Sequence, residues 1–344
     1  MRTAVLTDSL EFELEDRERP AVGPDEVLVA IGDVGICGSD IHYYEHGRIG
    51  DYVVQDPLVL GHESAGEAIE VGESVTEHES GDRVTLEPGV PCQRCEHCKR
   101  GDYHLCEEVT FMATPPDDGA FAEYVAWPAD FAYTLPEAVS TRAGALCEPL
   151  SVGIHAARRG SVGVGDSVLI SGGGPIGLLA MEAVRAAGAT EVVLSDVVEA
   201  KLALAAERGA DRTIDVREEN LSEAVAEHTD GRGVDVVIEA SGAPRAIAST
   251  VDAVRRGGTV VLIGLPGDGE VPIDTLAVID DEIDVHGSFR YKNTYGAAVD
   301  LLAEGAVDVE GIIDFETSLE GIETAFRRAR DPENVKGMLS IGER

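Results

Sequence analysis

Positive charge is scarce in this sequence of 344 residues. The chain has 27 lysines and arginines against 65 aspartates and glutamates, a formal net charge of −38, and its four lysines are Lys99, Lys201, Lys292 and Lys336. A nucleic acid partner is disfavoured because the phosphates would be repelled. The acids are spread along the chain, which disfavours an acidic patch for a basic partner. The charge instead indicates adaptation to high salt, since a screening length of about 3 Å near 1 M mutes self-repulsion.

Long apolar runs are also missing. No run approaches the ~18 residues that a membrane-spanning helix needs. The first residues, Met-Arg-Thr-Ala-Val-Leu, lead into acidic residues and lack the apolar core of a signal peptide. We therefore expect a cytoplasmic protein with no membrane partner. With 44% hydrophobic residues and 39 glycines, the chain is expected to be globular and long enough for two domains.

The pattern changes along the chain. Up to about residue 150 it predicts short strands and loops, with strands at 27–31, 64–71, 82–87 and 122–125. From about residue 160, strands at 167–171, 191–196, 212–216, 235–241 and 259–264 alternate with helices at 176–187, 199–208 and 221–228. Such Val/Ile/Leu runs predict a parallel sheet that is covered on both faces, in an α/β protein. We expect one domain at 1–150, completed by 289–344, and a second at 151–288.

A glycine-rich turn indicates a dinucleotide site in the second domain. Gly172, Gly174 and Gly177 fit G-x-G-x-x-G between a predicted strand and a predicted helix, which is the context that gives the motif its meaning. Asp196 ends the next strand, 19 residues after Gly177. A carboxylate there accepts hydrogen bonds from the adenosine ribose and repels a 2′-phosphate. With Lys201 as the only nearby base, NAD is favoured over NADP, although Asp196 could instead cap a helix.

Four cysteines lie close together in the sequence. Cys92, Cys95, Cys98 and Cys106 fall within 15 residues. In a cytoplasmic chain such a set is more typical of a metal site than of disulfides. Four thiolates suit a structural zinc ion with no open position, and an iron–sulfur cluster is the main alternative.

A second set of possible metal ligands lies earlier in the chain. Cys37 precedes the pair His62 and Glu63 by 25 residues. A thiol, an imidazole and a carboxylate can all bind Zn²⁺, and three protein ligands with one open position hold zinc for chemistry. A buried cysteine and a hydrogen-bonded core histidine are the alternative.

Taken together, these motifs resemble those of zinc-containing medium-chain dehydrogenases, and most closely sorbitol (polyol, xylitol) dehydrogenases. The similarity runs over essentially the whole chain. The most specific parts are Cys37-Gly-Ser-Asp-Ile-His-Tyr43-Tyr-Glu-His-Gly-Arg-Ile-Gly-Asp, Ala113-Thr-Pro-Pro-Asp-Asp-Gly119, Glu148-Pro-Leu-Ser-Val-Gly-Ile-His155 and Phe289-Arg290-Tyr291. The resemblance implies a GroES-like catalytic domain and a Rossmann domain, with the active site in the cleft between them. It also implies a homo-oligomer, specifically a tetramer.

The resemblance assigns roles to individual residues. It makes Cys37, His62 and Glu63 the ligands of a catalytic zinc ion, and Glu148 the carboxylate that meets this zinc directly or through water. The residues that match polyol contacts are Tyr43, Glu148, Arg290 and Tyr291. The positions that match those lining NAD are Ile176, Asp196, Lys201, Ile263, Gly264, Leu265, Ser288, Phe289 and Arg290, with Lys201 where arginine is usual.

The implied reaction is oxidation of a secondary alcohol of a polyol to a ketone, with hydride transfer to NAD and two zinc ions per chain. Glu148 is the candidate proton acceptor, and Ser39 and His42 could pass the proton to solvent. A capping hydroxyl and a surface histidine are the alternatives for those two residues. Another zinc dehydrogenase, acting on threonine, butanediol or an aldose, is the rival enzyme. A non-catalytic member of the superfamily is the rival of another class.

The charge predicts a protein that depends on salt. Repulsion among the excess acids should favour expanded states in dilute buffer, and molar KCl or NaCl should screen it. We expect the melting temperature to rise across a salt series from dilute buffer to molar salt. A melting temperature that stays flat or falls would contradict the halophilic interpretation.

Overall fold

The computed structural model describes residues 1–8, 11–267 and 269–342. These residues form two compact units, one of residues 1–148 with 295–344 and one of residues 149–294. The limits differ by a few residues from those expected for the two domains. No helix among the described residues is long and apolar enough to cross a membrane.

The strands, in chain order, are β1 (Arg2–Asp8), β2 (Glu11–Asp16), β3 (Glu26–Gly35), β4 (Arg48–Ile49), β5 (Tyr52–Val53), β6 (Glu63–Val71), β7 (Arg83–Leu86), β8 (Gly89–Val90), β9 (Thr110–Phe111), β10 (Tyr124–Pro128), β11 (Ala132–Thr134), β12 (Ser167–Ser171), β13 (Glu191–Asp196), β14 (Arg212–Asp215), β15 (Val234–Glu239), β16 (Val254–Leu262), β17 (Asp284–Gly287), β18 (Ile313–Thr317) and β19 (Lys336–Ser340). The helices are α1 (Gly38–His46), α2 (Glu96–Arg100), α3 (Thr141–Ala145), α4 (Cys147–Arg159), α5 (Pro175–Ala187), α6 (Glu199–Glu207), α7 (Leu221–His228), α8 (Pro244–Ser249), α9 (Thr275–Asp280), α10 (Tyr295–Ala303) and α11 (Ile322–Ala329).

The second unit is a doubly wound α/β sheet. Its strand order is β14-β13-β12-β15-β16-β17, and each pairing is parallel. Every residue of β12 and β15 is buried, as their near-continuous apolar runs predict. The order reverses at β12, and ligands of such sheets bind at the carboxyl ends of the strands beside this reversal.

One strand of this sheet is longer than predicted. β16 begins at Val254 rather than at residue 259, and its first part runs through Arg255, Arg256, Gly257 and Gly258. Glycine and charged residues carry no strand signal. The register of β16 against β15 shifts between Val234 and Val236. The pairing is therefore irregular here, and it includes residues that the apolar pattern had left outside the strand.

The first unit is organised around β3. One edge of β3 pairs with β6, while its other edge pairs with β10 over Glu26–Ala30 and then with β19 over Asp33–Gly35. The full sheet order is β11-β7-β6-β3-β19-β18, with β10 beside β3. The strand predicted at 122–125 is shifted to Tyr124–Pro128, because Ala122 makes only an isolated bridge to Thr3.

This sheet brings three distant segments to one place. Gly35 at the end of β3 is in register with Glu63 at the start of β6, and with Met338 of β19. The amide of Ile36 donates to the carbonyl oxygen of Gly337 at 3.0 Å. The segments that carry Cys37, His62 and the last strand therefore meet at one end of the sheet.

Candidate active site

The predicted catalytic metal ligands come together. One ligand atom each of Cys37, His62 and Glu63 lies within 4.8 Å of the other two. His62 and Glu63 are buried, with 6% and 1% exposure, and Cys37 is half-buried. Sulfur, imidazole nitrogen and carboxylate oxygen are the donors that zinc takes in proteins, so these residues fit a zinc ion.

Asp40, which the sequence analysis did not single out, organises this set. It is fully buried, and it accepts hydrogen bonds from the amides of Cys37 at 2.9 Å and Gly61 at 3.1 Å. Its Oδ1 lies 3.5 Å from Nδ1 of His62. A carboxylate at Nδ1 places the ring proton there and leaves Nε2 for a metal. Its signal in the sequence is its place three residues after the helix-capping Cys37.

The electrostatic surroundings of His62 favour a cation. Burial opposes protonation of the ring, but the negative charges of Asp40 and Cys37 outweigh it and raise the pKa of His62 well above its usual value. A metal ion placed among the same groups would meet the same attraction.

Lys336 is the second residue that the sequence analysis missed. Its side chain is 1% exposed, and its Nζ donates to Glu63 Oε1 at 2.6 Å and to the carbonyl oxygen of Ile36 at 2.9 Å. Burial lowers the pKa of Lys336, but the charges of Glu63 and Cys37, and then of Glu148, raise it above its usual value. A charged lysine therefore balances the acidic groups of this site.

Both carboxylate oxygens of Glu63 contact Lys336. Its Oε2 is in ion-pair contact with Lys336 but makes no hydrogen bond with the described residues. A Cβ on Gly35 would lie 1.9 Å from this oxygen. Glycine at position 35 thus leaves the space that the carboxylate occupies.

The other predicted residues of the first unit are placed as follows. Tyr43 is 3% exposed, and burial, opposed by a hydrogen bond from Thr114, raises its pKa to about 12. Glu148 is 6% exposed in the first turn of α4. Ser39 is half-buried and His42 exposed on α1, where a groove of about 640 Å³ runs beside His42.

The four-cysteine set is also assembled. Ligand sulfurs of Cys92, Cys95, Cys98 and Cys106 lie within 4.8 Å of one another, and all six cysteines are free thiols. Cys95 caps α2, and its sulfur accepts the amide of Cys98 at 3.4 Å. The amide of Cys92 donates to the sulfur of Cys106 at 3.3 Å. Four convergent thiols with no disulfide fit a closed tetrahedral metal site.

The thiols of this set differ in pKa because their surroundings differ. The backbone amide of Arg94 is the main cause that lowers the pKa of Cys92 to about 7. Burial, followed by the neighbouring thiols, raises the pKa of Cys98 to about 12. Crowded thiols resist ionising together, and a bound cation removes that resistance.

The glycine-rich turn of the second unit has the predicted geometry. Gly172 follows β12, Gly174 caps α5, Pro175 is its first residue, and Ile176 and Gly177 continue it. A Cβ on Gly177 would lie 1.8 Å from the carbonyl oxygen of Gly172. Only glycine permits this approach, and it leaves the helix N-terminus open to phosphate groups.

Asp196 has more partners than the ribose role requires. Its Oδ2 accepts the amide of Gly173 at 2.6 Å, and its Oδ1 accepts those of Val197 at 2.7 Å and Val198 at 2.8 Å. It therefore joins the glycine-rich turn to the start of α6. A carboxylate offers about four acceptor positions, so a ribose hydroxyl remains compatible with these bonds.

A cavity of about 670 Å³ lies at this sheet edge, and Gly172 and Asp196 both line it. The remaining predicted cofactor residues follow neighbouring strands. Ile263, Gly264 and Leu265 come directly after β16, and Ser288, Phe289 and Arg290 directly after β17. None of these six lines the cavity.

The other predicted residues of the second unit are placed as follows. Lys201 is on α6, and its Cβ lies 3.1 Å from the position of a Cβ on Gly173. The guanidinium carbon of Arg290 lies 4.8 Å from the centre of the Phe289 ring, and Tyr291 is 3% exposed. The predicted polyol contacts are thus divided between the two units.

Two protein-family models match this chain. Residues 23–137 match the alcohol dehydrogenase GroES-like domain, and residues 175–304 match the zinc-binding dehydrogenase family. The chain belongs to the zinc-binding dehydrogenases, and it is an oxidoreductase with a GroES-like domain and a Rossmann-type sheet. The predicted fold class is therefore confirmed.

Three relatives illustrate the similarity. The sorbitol dehydrogenase of Bacillus subtilis (strain 168) is 45% identical over 97% of this chain and 95% of its own length. A probable D-xylulose reductase A of Aspergillus terreus is 42% identical over 98% of this chain and 97% of its own. A solved structure of a candidate zinc-binding dehydrogenase of Sinorhizobium meliloti 1021, bound to NADP, has a TM-score of 0.93 at 33% identity and covers 98% of both chains.

The cysteine set predicts a measurable metal content. Protein purified without chelator should hold about two zinc atoms per chain, and Cys95→Ser should hold about one and lose stability in the 92–106 segment. Cys147→Ala is the control, since Cys147 is a buried free thiol outside both sets. Zinc content unchanged by Cys95→Ser, or iron with a visible charge-transfer band, would contradict the structural zinc site.

Lys336→Met should destabilise the protein more without zinc than with it. Removing one partner of a buried ion pair costs about 3–5 kcal/mol, and zinc on Glu63 would supply the lost positive charge. Denaturant unfolding of both proteins in molar salt, with zinc and with chelator, measures the difference. Lys292→Met, which removes a half-buried lysine of the other unit, is the control. An equal loss in both metal states would show that Lys336 and the metal act independently.

Proposed function

We propose that this protein is an NAD-dependent zinc dehydrogenase that oxidises a secondary alcohol of a polyol, of the sorbitol or xylitol type, to a ketose. The observation that carries the proposal is the convergence of Cys37, His62 and Glu63 in a chain that also has an intact dinucleotide turn. The names of the full-length relatives, sorbitol dehydrogenase and D-xylulose reductase, support a polyol as substrate.

Two zinc ions and NAD are the proposed cofactors. Cys37, His62 and Glu63 would hold the catalytic zinc, and the four-cysteine set would hold the structural zinc. When bound, zinc supplies a Lewis acid that lowers the pKa of a substrate hydroxyl, and NAD supplies the hydride acceptor. The carboxylate of Asp196 is the support for NAD over NADP, since it would repel a 2′-phosphate.

The protein's own residues position the substrate and move its proton. Asp40 holds the ring of His62 through Nδ1, and Lys336 holds the carboxylate of Glu63. A carboxylate oxygen of Glu148 accepts the proton of the substrate hydroxyl. Ser39 Oγ and the exposed ring of His42 pass that proton to solvent.

Substrate hydroxyls are the proposed partners of three further residues. Tyr43 offers a phenol whose raised pKa keeps it protonated and able to donate. In the second unit, Arg290 offers fixed guanidinium donors and Tyr291 a second phenol. A dehydrogenase for threonine, butanediol or an aldose would share the zinc set and differ in these contacts.

We also propose a cytoplasmic homo-oligomer, as a tetramer. Free thiols persist in the reducing cytoplasm. The edge strand β17 exposes Val285, and α9 exposes Leu276 at 63% and Ile279 at 70%. Among the described residues β17 has no strand partner on its outer edge, and exposed apolar side chains near such an edge suit burial against a second copy. Light scattering over a range of protein concentrations tests this, and a monomer throughout would contradict it.

A substrate panel tests the function. In molar salt, reduction of NAD⁺ and of NADP⁺ should be followed with sorbitol, xylitol, threonine, butanediol and glucose. We expect the largest kcat/KM with a polyol and NAD⁺. Higher kcat/KM with threonine, butanediol or glucose would assign the rival substrate class. No cofactor reduction with any alcohol, despite bound zinc, would favour a non-catalytic role.

A further inference from the structure

The cavity beside Asp196 contains an ion pair on the neighbouring strand. Asp215 ends β14, and Arg217 follows it in the lining of the same cavity. The guanidinium of Arg217 donates from Nε to Asp215 Oδ1 at 3.0 Å and from Nη2 to Oδ2 at 2.6 Å. Two parallel hydrogen bonds of this kind fix both position and orientation.

The same aspartate also holds the backbone. The amide of Arg217 donates to Asp215 Oδ1 at 2.9 Å. The hydrogen bonds from Arg217 are the main cause that lowers the pKa of Asp215 to about 2, so Asp215 is ionised at neutral pH. Arg217, whose side chain is 54% exposed, is therefore paired with an ionised carboxylate.

Asp215 and Asp196 are neighbours across the sheet. Their Cα atoms are register partners in the β13–β14 ladder, and the amide of Val216 donates to the carbonyl oxygen of Asp196 at 3.2 Å. Adjacent strands lie about 4.8 Å apart. A 2′-phosphate beside Asp196 would therefore meet two carboxylates at this edge, with Arg217 bound to one of them.

A second arginine lies further away along the same edge. Arg245 also lines the cavity, but it belongs to α8, which follows β15. In the order β14-β13-β12-β15, β15 is two strands from the strand that carries Asp196, roughly 10 Å at the usual spacing. Arg217, on the adjacent strand, is the better placed cation.

We infer that Asp215 is a specificity-determining residue that favours NAD by holding Arg217 away from the position of a 2′-phosphate. The inference rests on the proposed NAD-dependent function, in which Asp196 meets the adenosine ribose. Discrimination then has two parts: repulsion by carboxylates and confinement of Arg217, which would otherwise be available to bind the phosphate.

Asp215→Asn separates charge from local structure. Asparagine keeps an acceptor for the amide of Arg217 but loses the charge that holds the guanidinium. The affinity for NADPH relative to NADH should rise about tenfold, the scale of one charge-assisted hydrogen bond. Fluorescence titration with each reduced cofactor, without substrate and at the lowest salt that keeps the protein folded, measures this ratio. Asp215→Ser repeats the test if the first variant does not fold.

Three further variants identify the cause. Adding Arg217→Ala to Asp215→Asn should remove most of the gain and leave only what the lost repulsion contributes, and adding Arg245→Ala should leave the gain in place. Asp281→Asn, which breaks the pair of Asp281 with Arg256 elsewhere in this unit, should leave the ratio unchanged. A gain that Arg217→Ala leaves undiminished would show that lost repulsion alone is responsible and would overturn the inference.

The NAD-dependent function and the role of Asp215 would be refuted by different results. A wild type that binds NADPH more tightly than NADH would refute the NAD-dependent function, and the inference would fall with it. A wild type that prefers NADH, with a ratio that Asp215→Asn does not change, would refute the role of Asp215 alone.

Discussion

The buried contact between Lys336 and Glu63 is the interaction on which the candidate active site depends. Cys37, Asp40, Glu63 and His62 converge where three segments of the sheet meet, and most of these groups carry or can carry negative charge. Burying such charges without compensation is costly. Lys336 supplies a positive charge from the last strand, 273 residues after Glu63, and a metal ion would supply more. The site therefore joins the last strand to segments near the start of the chain. Metal binding at this site should stabilise the first unit.

The same balance of charge recurs at the other sites. The four thiols of the cysteine set lie so close together that they resist ionising at once, and the pKa values of Cys92 and Cys98 differ widely. A bound cation would remove that resistance. At the nucleotide cavity, Arg217 is held by Asp215 beside Asp196. In a chain of net charge −38 cations are few, and both Lys336 and Arg217 sit against acidic groups at candidate sites. The positions of Lys336 and Arg217 are therefore central to the proposed binding of zinc and of the cofactor.

The features that could be predicted from the sequence are those that a local pattern of residues indicates. The parallel strands β12 to β15 and the turn at Gly172 were found because apolar runs and glycine spacing report backbone structure directly. Both ligand sets were also found, since cysteine and histidine spacing is itself the signal. Asp40 and Lys336 were missed as parts of the site, because their roles depend on contacts across the sheet. The first residues of β16 were missed because an irregular register accepts arginine and glycine in a strand. Nor did the sequence show that Asp196 also ties the glycine-rich turn to α6, which only its three backbone partners reveal.

Anomalous diffraction at the zinc edge, from crystals of the zinc-loaded protein, tests the central claim most directly. The account predicts two peaks per chain. One should lie about 2.3 Å from the sulfur of Cys37 and about 2.0–2.1 Å from a nitrogen of His62, and the other among the four sulfurs of the cysteine set. The same map would show whether Glu63 contacts the metal or stays with Lys336. A map with zinc in the cysteine set and none beside Cys37 and His62 would contradict the proposed catalytic site.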